Sequence, residues 1–500
     1  MKIAYLSPLP PARTGIAHYS AMLLPALQRR LDVTAFGQAA DYDRDRFDLA
    51  IYQLGNNPHH EWIYREAMQR PGIAVLHDMV LHHLIVEMTL ARGDVDGYVA
   101  ALEENHGAPG AAWARGRAAG LHSEMGNFLM PASIAVANRS RAVIVHNRWA
   151  ADRLRSFGVV PAIHVVPHPY VPDETPVDRA AVRSRLGFRS DDCVIGFFGF
   201  LTSAKRAEVI MEAFARARAR DGRLKLLIVG EPAPDIDLDA LRGEGIITTG
   251  YVPDQEFGSY YAAADRIVNL RYPSAGETSG TLIRAFDAGK PVAVSGYAQF
   301  AEYPDSCVVK IPFGDGEIDA LEGFLTADFD DRAIARAQRQ WLDENATLDL
   351  AVDGYAKTVE SIEDRESRSA AAGEKVAKPD EGGAHGIKAS LPLFTELKLV
   401  GLDIEGDDIR ITVRNVGDAV VRTRTYGEPE YRIVAKLFAG SREVLDRWLS
   451  LPGDLVPGAT ATLTFPVLGR SGRCSLRLYD GLQGIPTVDP KPWAAAEIAL

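Results

Sequence analysis

The sequence predicts an α/β fold. Two successive halves, each a doubly wound parallel sheet of Rossmann-like character, face a cleft and are followed by an all-β domain with a sandwich pattern. Three observations carry this. Short, near-continuously apolar strands alternate with helices up to about residue 166, as in a parallel sheet covered on both faces. The alternation stops at a proline-rich stretch, 166–175, and then restarts. Beyond residue 389, helices give way to short strands divided by Gly and Pro turns.

In the first half, strands are expected at 2–6, 33–36, 49–53, 72–76, 142–145 and 163–166. A Pro/Gly loop at 8–15 follows the first of them and leads into a helix at 17–30. Residues 79–136 read as helical throughout, a helical insertion that serves either as a cap or in substrate binding. In the second half, strands are expected at 192–199, 224–230, 246–249, 266–270, 291–294 and 307–310. Helices are expected at 208–220, 257–264 and 280–288, then onward to about 362. Residues 365–389, rich in Ser, Ala, Gly, Glu and Lys, form a linker that cannot bury a core. Strands at 396–401, 408–415, 431–438, 459–465 and 474–479, with turns such as Leu451-Pro452-Gly453-Asp454, make the all-β pattern. The domains are therefore 1–170, 171–364, the linker 365–389, and 390–500.

Bulk properties narrow the function. A chain of 500 residues is long enough for about two to four domains. A formal net charge of −12 argues against nucleic acid as the main partner. Cys193, Cys307 and Cys474 are odd in number and far apart, which argues against a disulfide framework. No CxxC or His/Cys cluster offers a zinc site. The N-terminal apolar run is too short for a secretory signal, and no run is long enough to span a membrane. These features predict a cytoplasmic protein and leave room for peripheral contact with the inner face of the membrane.

The most informative segment is 269–292. Its centre reads Arg271-Tyr272-Pro273-Ser274-Ala275-Gly276-Glu277-Thr278-Ser279-Gly280, and it closes on Gly289-Lys290-Pro291-Val292. A strand ends, a polar loop follows, and a helix starts near Thr278, Ser279 and Gly280. Such a helix start presents free N–H groups and a positive dipole end, suited to a diphosphate. Glu277, a carboxylate, suits hydroxyl groups such as those of a sugar. Taken alone, an ordinary capped helix with Glu277 favouring the dipole would be the better explanation of these residues.

This segment resembles the donor-site signature of family 4 retaining glycosyltransferases, which have the GT-B fold. The resemblance covers about residues 1–360 and is most specific across 250–291. In that family a Glu-x7-Glu pair precedes Gly-Lys-Pro-Val. The first Glu contacts the donor sugar and the second the ribose. Here Glu277 sits one residue closer than that spacing, and the second position holds Arg284, a donor-only group suited to phosphate. The family's diphosphate-binding Lys falls on Lys205, and its Arg position is Phe200, so Arg206 or Arg284 is expected to replace that charge. Gly15 corresponds to a loop close to the donor diphosphate and the acceptor. His77, at a strand end in Val75-Leu76-His77-Asp78, corresponds to a His under the reacting sugar.

The resemblance implies His77 and Glu277 as catalytic. It implies Gly15, Lys205, Arg206, Glu277, Thr278, Ser279, Gly280 and Arg284 as donor-binding. It also implies transfer from a nucleotide sugar to a glycan or lipid-linked acceptor, with retention and in cell-surface polysaccharide synthesis. No cofactor or metal is expected: Asp235-Ile236-Asp237 has the letters of a metal-holding motif but reads as loop solvation, and His77–His83 lacks an assignable carboxylate second shell. His82 and His83 read as structural or acceptor-facing, and His168 as structural. His146, Asn56 and Asn57 lie at other strand ends. The all-β part weakly resembles sandwich appendages of polysaccharide-assembly proteins, in which Tyr479 and Trp493 pack in the core by default or stack on sugars. Two other readings stand beside this one: a GT-B-like nucleotide-sugar epimerase or hydrolase, and a non-catalytic glycan-binding or scaffold protein.

Overall fold

The computed structural model describes residues 1–12, 14–121, 124–172, 177–199, 201–231, 243–253, 256–371, 397–405, 408–416, 431–439, 442–450, 459–467, 473–482, 485–486 and 494–499. Phe200, Asp235-Ile236-Asp237, Trp493, the Tyr479 side chain, the 451–458 turns and the linker beyond 371 lie outside the described residues.

The first half runs β1 (Ile3–Leu6), α1 (Gly15–Arg30), β2 (Val33–Phe36), β3 (Leu49–Leu54), α2 (Glu61–Gln69), β4 (Ile73–Leu76), α3 (His82–Met88), α4 (Val95–Ala118), α5 (Ile134–Arg139), β5 (Ala142–Val145), α6 (Arg148–Ser156) and β6 (Ala162–Val165). Its sheet has the order β2-β1-β3-β4-β5-β6, and every pair is parallel. Strands β1, β3, β4 and β5 are buried at every position; β1, β4 and β5 are wholly apolar, and β3 carries one polar residue, Gln53.

The second half runs α7 (Arg179–Arg185), β7 (Cys193–Phe198), α8 (Ala207–Arg220), β8 (Leu224–Val229), β9 (Ile246–Thr248), α9 (Phe257–Ala263), β10 (Arg266–Asn269), α10 (Gly280–Asp287), β11 (Val292–Ser295), β12 (Val309–Ile311), α11 (Glu317–Thr326), α12 (Asp331–Asn345) and α13 (Leu348–Ala371). The sheet order is β12-β11-β10-β7-β8-β9, again all parallel. Helix α10 buries Leu282, Ile283, Ala285 and Phe286. Each large apolar side chain of that set contributes roughly 1.5–3 kcal/mol.

Helix α13 follows the second half in sequence but packs on the first. Its Ala351, Val352, Tyr355, Val359 and Ile362 share one core with Ile3, Tyr5, Tyr19, Leu23, Ile51 and Val75. The Tyr19 and Tyr355 hydroxyls lie 2.9 Å apart inside it. The helix also runs to Ala371, past the residue where the linker was expected to begin. The first linker residues, Arg365 to Ala371, include strong helix formers that extend an existing helix without a core of their own.

Between β4 and β5 the chain is helical, as expected. Within that insertion His82 is a core residue. Its Nε2 lies 2.6 Å from the Tyr98 hydroxyl and its Nδ1 2.5 Å from the Met130 carbonyl, and burial lowers its pKa to about 3. Asn56 accepts from Leu84 N–H at 3.0 Å. His83 faces Glu87 one helical turn on, at 3.7 Å.

The C-terminal part comprises β13 (Leu397–Glu405), β14 (Asp408–Asn415), β15 (Tyr431–Ala439), β16 (Arg442–Ser450), β17 (Thr460–Pro466), β18 (Arg473–Leu482), β19 (Ile485–Pro486) and β20 (Ala494–Ala499). Antiparallel sheets β13-β14-β17 and β16-β15-β18-β19, with β20 also on β18, contribute alternate residues to one buried cluster that includes Ile411, Leu437, Phe465 and Leu476. Strands β16 and β20 were not expected. Five of the nine residues of β16 are charged or Ser, which hides its alternation. Among the described residues no helix is long and apolar enough to cross a membrane.

Candidate active site

Strand β7 has β8 on one side and β10 on the other, so the sheet order reverses there. Open α/β sheets bind ligands at the carboxyl ends of such strands. The two segments leaving β7 and β10 carry the candidate residues and meet directly: Tyr272 N–H donates to the Ala204 carbonyl at 2.7 Å. Gly199, after β7, has φ +87°, and a Cβ there would lie 2.7 Å from Lys205 Nζ and 3.9 Å from Thr281 Cγ2. Lys205 thus occupies space that only a glycine leaves, beside the start of α10.

Lys205 keeps partial surface access, yet protein around its ammonium drives its pKa well below the usual lysine range. Burial is the main cause and the Arg271 charge the next, with Glu277 opposing. Among the described residues its hydrogen-bond partner is the Phe198 carbonyl, at 3.4 Å. Arg271 is the cation that sequence reasoning missed. It stands directly after the β10 strand end, and its Nε donates to Glu277 Oε1 at 3.2 Å. Glu277 Oε2 also accepts from Ala275 N–H at 3.0 Å; the Ser274 hydroxyl, 3.4 Å away, gives its one proton to Gln299 Oε1 at 2.6 Å. Two of about four carboxylate acceptor positions are therefore filled. Two cations share one carboxylate, a surplus of positive charge in a desolvated place.

Helix α10 opens onto this charge. Ser279 caps it, accepting from Leu282 N–H at 3.3 Å, and an added side chain at Gly280 would meet nothing within 4 Å. Thr278 precedes the cap and is partly exposed. Ser279 and Thr281 hydroxyls reach Asn269 Oδ1 at 3.2 and 2.9 Å. Asn269 Nδ2 is buried without an acceptor among the described residues.

Two expected donor contacts are not placed for that role. Arg206 Nε donates to Glu317 Oε1 at 3.0 Å, and its guanidinium lies over the Tyr272 and Phe313 rings at 5.9 and 5.5 Å. A buried carboxylate therefore already neutralises it. Arg284 lies in the last turn of α10, 5.5 Å from the Phe257 ring. Its charge suits the carboxyl end of the helix, not the amino end where an anion is favoured.

In the first half, Gly15 is the first residue of α1 behind the Thr14 cap, and an added side chain there would meet nothing within 4 Å. His77 follows β4, and both of its ring nitrogens meet protein groups. Its Nε2 lies 2.7 Å from Gln53 Oε1 and its Nδ1 3.2 Å from His146 Nε2. Burial above all, then neighbouring histidines, pushes its pKa well down. These contacts arise because β3 and the end of β5 bring Gln53 and His146 against it, which local sequence does not reveal. His168 joins the cluster, with its ring 5.0 Å from Tyr19. Among the described residues, His, Cys, Asp and Glu form no group of three or more that could hold a metal ion.

Residues 192–344 match the family model described as Glycosyl transferases group 1. Two relatives are similar over part of their length. The D-inositol 3-phosphate glycosyltransferase of Actinosynnema mirum is 28% identical over 208 residues, 38% of this chain and 47% of that protein. The one from Nocardia farcinica is 35% identical over 157 residues, 29% of this chain and 33% of that protein. The chain thus spans less than half the length of these curated relatives. Among solved structures, Anabaena HepE in complex with UDP and glucose superposes with a TM-score of 0.50 at 16% identity, covering 72% of this chain and all of that one. At that identity the likeness concerns the fold.

Proposed function

We propose that this protein is a glycosyltransferase of the hexosyltransferase type. It moves a sugar from a nucleotide diphosphate donor to a glycan or lipid-linked acceptor. The observation that carries the reading is the excess of buried positive charge formed by Lys205 and Arg271 at the opening of α10, with Glu277 between cation and loop. The match of residues 192–344 to a glycosyltransferase family supports the same reading.

In this reading the diphosphate lies against Lys205, Arg271 and the first N–H groups of α10. These groups stabilise the charge that develops as the sugar leaves, where low dielectric strengthens them. An acceptor position of Glu277 left open by the loop takes a donor hydroxyl. Protein cations, not a metal ion, carry the leaving-group charge, so activity is expected to survive chelation by EDTA. Retention of configuration, a role in cell-surface polysaccharide and work at the inner face of the membrane complete the proposal.

A thermal-shift panel of nucleotides and nucleotide sugars tests it, because a ligand bound only by the folded state raises Tm. UDP and UDP-glucose head the panel, since HepE was solved with UDP and glucose. A shift lost in Lys205→Ala is expected. No shift with any nucleotide in folded protein would overturn the reading.

A further inference from the structure

The loop that carries Glu277 is held by residues of the other half, and the residues that make these contacts, Met79, Asn147, Arg148 and Trp149 with 275–277 and Glu302, lie in one compact unit. Two successive carbonyls of this loop accept hydrogen bonds from the first half. The Ala275 carbonyl accepts from Met79 N–H at 2.7 Å, and the Gly276 carbonyl accepts from Asn147 Nδ2 at 2.8 Å. Gly276 has φ +75°, and a Cβ there would stand 3.1 Å from Trp149 and 3.2 Å from Met79. The return contact is ionic in character: Glu302, from the second half, accepts from Arg148 and Trp149 N–H at 3.2 and 2.6 Å, at the opening of α6.

Asn147 stands at the centre of this arrangement because one side chain makes both ends of the link. Its Oδ1 caps α6, accepting from Ala150 N–H at 2.8 Å, while its Nδ2 reaches across to Gly276. The neighbouring Ala275 N–H is the group that holds Glu277 Oε2. The Gly276 carbonyl belongs to the peptide that joins Gly276 to Glu277, so the orientation of that peptide, and of the Glu277 Cα that carries the carboxylate, depends on the first half.

We infer that Asn147 is a positioning residue that joins the docking of the two halves to the placement of Glu277, so that the sugar-binding carboxylate is set only when the halves meet. This rests on the reading of Glu277 as a donor-sugar contact. It deepens that reading by assigning part of donor-sugar recognition to a residue of the acceptor half.

Asn147→Ser separates the two bonds. Serine caps a helix about as well as asparagine, with a difference of a few tenths of a kcal/mol or less, but it is too short to reach Gly276. In the ligand-free variant, amide hydrogen exchange across 272–279 should rise about tenfold while exchange across 150–156 stays within about threefold of wild type. Unchanged exchange at 272–279, or an equal rise in both segments, would overturn the inference. With UDP and UDP-glucose as probes, the variant should weaken UDP-glucose by about tenfold and UDP by less than about threefold. It should add nothing further in a Glu277→Gln background, because the two act as one unit. Additive losses would count against it. If wild-type protein binds neither probe, the functional reading fails, and the exchange measurement alone still decides whether Asn147 positions the loop.

Discussion

His77 Nδ1 and His146 Nε2 lie 3.2 Å apart, in hydrogen-bond contact across two adjacent strand ends. Their protonation can be worked out from the groups beyond them. His146 Nδ1 meets the Val166 carbonyl at 2.9 Å and so carries the proton. Its Nε2 must then accept, which makes His77 Nδ1 the donor. A neutral His77 leaves Nε2 as an acceptor facing Gln53. Gln53 presents Oε1 to it at 2.7 Å, and Nε2 to the Tyr355 hydroxyl at 3.2 Å. A half-turn of that amide removes the conflict of two acceptors and yields one continuous chain, from Tyr19 through Tyr355, Gln53, His77 and His146 to Val166.

The first prediction concerns this chain. Nitrogen-15 spectra of the histidines at pH 7 should show His77 neutral with the proton on Nδ1. A signal of the doubly protonated ring would require Gln53 to stay as drawn and would refute the chain.

Tyr355→Phe removes a hydroxyl that meets both Tyr19 and Gln53 from α13. Leaving buried partners unmatched costs about 1–3 kcal/mol, to be read as a lower denaturant midpoint with an unchanged slope.

Acid should weaken the fold through its buried histidines. Burial lowers His60 and His146 to about 4. Above the ordinary value of about 6.5 both folded and unfolded forms are neutral, and the stability is complete. Below it the unfolded chain binds protons that the folded chain refuses, so stability falls from about pH 6.5 until the folded values near 4 are reached. Each of the two should remove about 2 kcal/mol by pH 5. Denaturant titrations at pH 7 and pH 5 check the direction, and His60→Asn should reduce the difference.

Lys205→Met should separate stability from binding. The ammonium is desolvated beside Arg271, so its removal is expected to leave Tm unchanged or raised. Nucleoside diphosphate affinity should drop by about ten- to a hundredfold, the loss of a charge-assisted contact. A parallel fall in both quantities would assign Lys205 to the fold instead.

Gly199→Ala attacks the same place through the backbone. Its positive φ costs an alanine about 1–2 kcal/mol, and the new Cβ would press on Lys205 Nζ. Reduced stability together with reduced diphosphate affinity is expected by calorimetry.

The parallel sheets were legible because buried strands are written as unbroken apolar runs, as in Ile3–Leu6 and Ala142–Val145. The donor loop was legible because glycine, a capping serine and a carboxylate fall at a strand-to-helix junction. Arg271 lies within 269–292, yet sequence gives it no role, since its partner Glu277 is reached only through the fold of the loop. Arg206 looked available because Glu317, which binds it, lies 111 residues away. His77 looked open for the same reason: Gln53 lies in β3 and His146 just after β5. Long-range pairing decides which of several charged or polar groups remains open to a ligand, and local pattern does not carry that information.

The return of α13 to the first half bears on how the chain is made. Tyr19 waits for Tyr355, which is 336 residues further on. A ribosome adding about 5–20 residues per second takes about 17–70 s to span that distance. Through that interval the face of α1 and the sheet that α13 will cover stand open, with apolar groups such as Leu23 and Ile51 nearby. The first half therefore completes its core only after the second has been synthesised, and the nascent chain has a long period in which chaperone binding would be of most use.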